Sequence, residues 1–297
     1  MGATRGLCAE VGRVRSAMQA LCHHVTMGSM MARRRIVRVS SAGSVELLDD
    51  LVAESPLAIV VNGELLSTTM RTPGHDFELV AGWLVAESGV REASDIRQMK
   101  SLSPAVDDDE TVDSVVATLG DHIQVPSARV TLTSSSCGFC GTTSLSPLRV
   151  HSAHEKDEEW RISTSQLLGM PKVMRVEQRA FSRTGGHHAA ALMSDDGNLE
   201  VCREDIGRHN AVDKVIGWAL LSDRLPLSQK LMVVSSRVSF EIVQKAAAAG
   251  LRGVVAVSAA SDMAVDLARD QGMLLVGMCR ETSMNIYSRK DLVLIDD

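Results

Sequence analysis

Long apolar runs are missing from this chain of 297 residues. No stretch reaches the roughly 18 apolar residues that span a bilayer, and the first twenty residues lack the apolar core of a secretory signal. The expectation is a cytoplasmic protein without membrane contact. A cysteine framework is missing as well. The six cysteines are Cys8, Cys22, Cys137, Cys140, Cys202 and Cys279, and only Cys137 and Cys140 are spaced for joint chemistry. In a reducing compartment such a pair serves catalysis or metal binding. Positive charge is not in excess either, the formal net charge being -6, so nucleic acid is not an expected partner. There is no Walker loop, no Gly-x-Gly-x-x-Gly fingerprint, no internal repeat and no low-complexity tract. A nucleotide-like ligand would have to be bound in another way.

What is present is enough apolar matter for one large domain or two small ones, 45% of the residues being hydrophobic. Residues 1–30 contain Arg5, Arg13, Arg15, His23 and His24 without a hydrophobic period. They read as a disordered or dispensable extension, with Met27, Met30 and Met31 as later starts. Residues 31–130 read as a β-rich subdomain. Ile36 to Val39 and Leu57 to Val61 have strand character, and Asn62-Gly63 is a hairpin signal. Thr72-Pro73 precedes a helix over Asp76 to Glu87, in which Phe77, Val80, Ala81 and Leu84 repeat at helical spacing before Gly89. Asp107 to Glu110 reads as an acidic exposed loop. Residues 131–165 form a cysteine loop and connection.

Residues 166–297 read as an α/β subdomain. Leu231 to Ser235, Val254 to Ser258 and Met273 to Val276 are strands. They are separated by helices over Ser239 to Ala249, closed by Gly250, and over Asp262 to Arg269. This βαβαβ order implies a parallel sheet. Ligands of such sheets sit beyond the carboxyl ends of the strands. Here those ends carry Ser235-Ser236-Arg237, Ser258-Ala259-Ala260-Ser261 and Cys279-Arg280-Glu281-Thr282.

The segment Ser136-Cys137-Gly138-Phe139-Cys140-Gly141 sets two thiols among small residues and glycines, in a loop that a reactant can approach. Residue chemistry leaves three readings open. The pair could be half of a structural zinc site, although no second pair stands at recognisable spacing and His151, His154, His187 or His188 would have to be shared. It could be a redox pair. It could also carry sulfane sulfur as a persulfide that the neighbouring thiol helps to release.

Three further clusters are polar. His187 and His188 follow Gly185-Gly186, where an imidazole could donate, accept or ligate, against the plainer reading of satisfied structural histidines. Glu204-Asp205-Ile206-Gly207-Arg208-His209-Asn210 leads into a helix with Asp213 and Lys214 on it and Ala211, Val215 and Ala219 on its apolar side. The plainer alternative there is an ion-paired helix start. Arg237, after two serines and before a helix, would combine a guanidinium fork with backbone N–H groups for an anion.

Taken together with Thr184-Gly185-Gly186-His187-His188-Ala189-Ala190, Ser236-Arg237-Val238-Ser239-Phe240-Glu241 and the earlier Asp76-Phe77-Glu78-Leu79-Val80-Ala81-Gly82-Trp83-Leu84, these segments resemble the FdhD family of formate dehydrogenase accessory sulfurtransferases. The resemblance runs from about residue 36 to Tyr287. It implies a cysteine desulfurase as sulfur donor, a persulfide on Cys137 assisted by Cys140, and transfer to bis-molybdopterin guanine dinucleotide, with molybdenum or tungsten, for formate dehydrogenase. That cofactor would be bound as substrate, with no permanently bound metal. The resemblance further implies a homodimer and a cytidine-deaminase-like fold with a parallel or mixed sheet. It places the cofactor stretch on Met278, Cys279, Arg280, Glu281, Thr282 and Ser283, with Arg237, His187, His188, Arg208, His209 and Asn210 around it. Thr282 and Ser283 stand where the family carries Gly and Arg, which removes a positive charge from a pyrophosphate pocket.

Two rival classes fit parts of the same pattern. A non-catalytic chaperone that holds the same cofactor would keep the crevice without needing the thiols. A zinc deaminase would need a catalytic Glu next to its His ligand, and Ala189 and Ala190 follow His188 instead.

Overall fold

A computed structural model describes residues 30–103, 112–125, 132–133 and 159–296. Of the residue 1–30 extension all but Met30, together with the Asp107 to Glu110 loop, Cys137, Cys140, His151 and His154, lies outside the described residues. The chain opens with a two-stranded antiparallel arm, β1 (Met31–Ser40) and β2 (Gly43–Val52). Next come β3 (Ser55–Val61) and β4 (Glu64–Arg71). The turn between them uses Asn62 and Gly63 at φ 50° and 86°. Two consecutive left-handed residues give the reversal whose twist suits a tight hairpin, so the Asn-Gly signal is read correctly. With β5 (Ile96–Leu102), β6 (Asp113–Leu119) and β7 (Leu132–Thr133) they form a five-stranded sheet in the order β5-β6-β3-β4-β7.

The second sheet has six strands. Its centre is the βαβαβ unit, with β11 (Leu231–Val234), β12 (Gly253–Ala256) and β13 (Leu274–Arg280) pairing in parallel. Helices α5 (Phe240–Ala248) and α6 (Asp262–Asp270) make the crossovers. Antiparallel strands flank this centre: β9 (His188–Met193) and β10 (Leu199–Asp205) on one side, β14 (Ser283–Ser288) on the other. The sheet is therefore mixed, with its parallel pairing confined to the middle. Hairpins close both edges because short turns, Asp195-to-Asn198 and Glu281-Thr282, return the chain directly to its neighbour.

Both faces of this sheet are buried, and alternate side chains separate them. Ala190, Leu192, Met232, Val234, Val254, Ala256 and Leu275 point into one core, Ala189, Ala191, Leu231, Val233, Val255, Leu274 and Val276 into the other. The first core is continuous with the five-stranded sheet through two helices, α1 (Asp76–Ser88) and α4 (Arg208–Leu221). These cross with their backbones touching. A Cβ on Gly82 would overlap the Asp213 carbonyl, and one on Gly217 would overlap the Glu78 carbonyl. Hydrogen thus stands at the two positions where a side chain would push the helices apart.

The second core is covered by α2 (Thr164–Glu177) and α3 (Arg179–Thr184). Leu167, Met170 and Met174 recur at helical spacing on α2 and are buried. A capping box opens this helix: Ser163 accepts from Gln166 N at 3.1 Å, and Gln166 accepts from Ser163 N at 3.0 Å. The short parallel pair β8 (Ile162–Ser163) and β15 (Val293–Leu294) ties its start to the carboxyl end of the chain.

Candidate functional site

Between α2, α3 and the carboxyl ends of β11 to β13 lies an open cavity of about 900 Å³, at the upper end of the size usual for small-molecule sites. Leu168, Pro171, Met174, Phe181 and Val257 give it apolar walls. Lys172, Arg175, His187, His188, Ser235, Arg280 and Glu281 supply polar groups. Three permanent cations face one acid, so the site favours an anionic ligand with a flat apolar part.

His188 begins β9, and the strand below it is fastened to β11 by Ser235. Ser235 Oγ accepts from Ala189 N at 2.9 Å, and Ser235 N donates to Ala189 O at 3.0 Å. Burial lowers the His188 pKa, and the neighbouring Arg208, His209 and Arg237 lower it further against the pull of Asp205. Arg208, His209 and Arg237 are thus gathered around His188, although none of the three lines the cavity. His187 is almost fully buried, and its pKa is lowered chiefly by that burial. Its Nδ1 meets Thr184 Oγ1 at 2.9 Å, while Thr184 Oγ1 donates to Ala180 O at 2.9 Å. With the hydroxyl proton committed to Ala180, Nδ1 carries the imidazole proton and donates it to Thr184.

The turn at the end of β13 carries the predicted cofactor stretch. Met278 adopts φ 51°, rare for a residue with a side chain, and its N–H donates to Ser258 O at 2.9 Å. Register is broken between Gly277 and Arg280, so the chain bulges before Glu281-Thr282 turns it into β14. Arg280, Glu281, Thr282 and Ser283 are exposed, and the first two line the cavity.

Cys279 also borders the cavity, but its thiol is engaged in the fold. Pro171 has no N–H, so the Leu167 carbonyl one turn earlier in α2 lacks its helical donor, and Cys279 Sγ donates to that oxygen at 3.4 Å. Burial pushes its thiol up to about 11, which makes it a tie between strand and helix and a poor nucleophile. Asn210 is turned away from the cavity. Its Nδ2 donates to Met70 O at 2.8 Å and Asp205 Oδ1 at 3.0 Å. Lys214 Nζ lies 2.7 Å from Asp205 Oδ2 and donates to Thr72 O at 2.9 Å. Thr72 N–H donates to the same carboxylate at 3.1 Å. This part of the motif joins β4 to the start of α4.

His209 Nε2 stands 2.8 Å from Glu241 Oε2 and 3.2 Å from Ser239 Oγ, at the start of α5. The hydrogen bond from His209 is the largest influence on Glu241 and lowers its pKa despite burial. The cavity wall from Leu168 to Ser182 was not foreseen from the sequence, although the Ser163-x-x-Gln166 capping box and the Leu167, Met170, Met174 spacing signal its helix. Among the described residues no group of three or more His, Cys, Asp or Glu side chains is placed to hold a metal ion. No helix among them is long and apolar enough to cross a membrane.

An α/β fold with a mixed central sheet and a cavity at the ends of its central strands is the class this arrangement defines, and comparison with known proteins gives the family. Residues 52–294 match the model of the FdhD/NarQ family. The chain belongs to that family. It is 43% identical over 275 residues to the sulfur carrier protein FdhD of Streptomyces coelicolor, covering 91% of this chain and 98% of that one. Identity to the sulfur carrier protein FdhD of Corynebacterium efficiens is 46% over 253 residues, covering 81% and 89%. A crystal structure from Desulfotalea psychrophila, described as that of a formate dehydrogenase accessory protein, matches the fold with TM-score 0.71 at 22% identity, over 89% of this chain and 100% of that one.

Proposed function

We propose that this chain is a sulfur carrier that serves formate dehydrogenase. It accepts persulfide sulfur from a cysteine desulfurase on Cys137 and passes it, with Cys140 assisting, to bis-molybdopterin guanine dinucleotide. The observation that carries the reading is the large cation-lined cavity at the carboxyl ends of the central strands, in a chain whose relatives bear the name sulfur carrier protein. A dinucleotide with two pyrophosphates and flat heterocycles is the type of substrate that Lys172, Arg175, Arg280 and the apolar walls would take together.

In this account a single transfer balances in atoms and electrons, and a cellular dithiol then reduces the cysteine pair for the next turnover. The Cys137 thiolate takes the outer sulfur of the donor's persulfide, and the donor cysteine leaves as thiolate. The sulfane sulfur then passes to the substrate as Cys140 attacks the inner sulfur, which leaves a Cys137–Cys140 disulfide. Neutral His188 and the cations around it hold the anionic substrate. The protein works in the cytoplasm as a homodimer, on a cytidine-deaminase-like scaffold.

The test is the intact mass of the protein after incubation with a cysteine desulfurase and cysteine. A gain of one sulfur in the parent, lost in Cys137→Ala, is the expected result. No gain in the parent would leave a cofactor-holding chaperone in its place.

A further inference from the structure

The arm formed by β1 and β2 lies mostly outside the stretch that matches the family model, which begins at residue 52. Among the described residues it pairs with no other strand, the two forming a sheet of their own. Its base is fixed: Asp50 binds both Arg33 and Arg183, the latter on α3, and Val52 packs so closely on Gly186 that a Cβ there would overlap it. Since α3 and Gly186 also form part of the cavity wall, whatever docks on the arm is held beside the cavity.

The outer edge of β1 is open in a defined register. Ala53 N–H donates to Met30 O, so even-numbered residues of β1 face β2 with their backbone groups, by the alternation of an antiparallel ladder. The odd-numbered residues Arg35, Val37 and Val39 turn N–H and C=O outward. Arg33 O, on the same edge, already accepts from the Arg34 guanidinium at 3.1 Å. Val37 and Val39 are 60% and 75% exposed. The strand carries Arg33, Arg34, Arg35 and Arg38 and no acid. Arg33 is taken by Asp50, and Arg35 reaches Glu46 only at 3.8 Å across solvent. Among the described residues Arg34 and Arg38 form no ion pair.

We propose that the outer edge of β1 is a docking strand for an extended, acid-rich segment of a partner protein, which adds to it as a third strand. Backbone groups of Arg35, Val37 and Val39 would supply the pairing, and the arginines would select the acidic sequence. A second copy of this chain fits poorly. Two β1 edges would set four arginines against four, and such charges are what keeps an edge from pairing with itself. Addition of the acidic β2 of another copy would be head-to-tail and would not close.

The test uses the full chain and a fluorescein-labelled octapeptide of alternating Glu and Val, with a Lys-Val peptide as control. Anisotropy should report binding of the acidic peptide that weakens by about tenfold or more in Arg34→Glu/Arg38→Glu and as salt is raised. Val37→Pro removes one outward N–H and leaves the β1–β2 ladder intact, so it should weaken binding while the far-ultraviolet spectrum stays the same. In the parent, hydrogen exchange at Arg35, Val37 and Val39 should slow on addition of the peptide. The proposal is overturned by equal binding to the parent and the charge-reversed variant, by equal binding of the Lys-Val peptide, or by no binding at all. It is also overturned if the parent oligomerises through this edge.

Discussion

The two faces of the six-stranded sheet treat the same residue types in opposite ways. On the face toward α1 and α4, charges are buried and matched: Lys214 with Asp205, Lys245 with Asp213 at 2.7 Å, and Arg203 with Glu78 through a bidentate contact that includes Nη2 to Oε1 at 2.8 Å. On the face toward α2 and α3, Lys172 and Arg280 are exposed at a cavity rim, and neither forms an ion pair among the described residues. Buried charges must be paired to be tolerated, whereas charges at a wet rim remain available to a ligand. Residues that look equally functional in sequence therefore divide into those that hold the fold and those that can bind.

The sharpest way to break this comparison is to remove a partner on the closed face. Lys214→Met leaves Asp205 buried without its cation, and urea unfolding at pH 7 should show a loss of about 3–5 kcal/mol. A loss within the range of surface substitutions would mean that the seam is not the structural lock described.

A smaller effect concerns protons. Burial lowers the folded-state pKa of His187 and His188, so the unfolded chain binds protons more readily. Their neutral forms contribute stability that is fully present above the unfolded value of about 6.5 and is lost as pH falls below it toward the lower folded values. His187→Gln should therefore lose less stability between pH 7.5 and 5.5 than the parent does. An equal loss in the two proteins would place the titrating groups elsewhere.

How much of this could be read beforehand follows from distance along the chain. The Asn62-Gly63 turn, the Gly89 and Gly250 helix ends and the βαβαβ order are local patterns, and each is found where expected. The segment from Glu204 to Lys214 stands out in the sequence as a polar cluster. What its residues do depends on Met70 and Thr72, more than 130 positions away, and periodicity does not reveal such partners. The same holds for Cys279, whose role depends on a proline in the α2 helix more than 100 positions earlier. The cavity's α2 wall was missed although its capping box was visible. The Cys137–Cys140 pair, which carries the proposed chemistry, lies outside the described residues.

The claim that the open face is the binding face is tested most directly by titrating guanosine diphosphate, the nucleotide end of the proposed substrate, into the parent and into Arg280→Ala, with thermal unfolding of both. Affinity should fall by about tenfold, the loss of one charge-assisted contact, while Tm moves by no more than about 2 °C, as for a surface change. Unchanged affinity, or a fall in Tm matching that of Lys214→Met, would contradict the account.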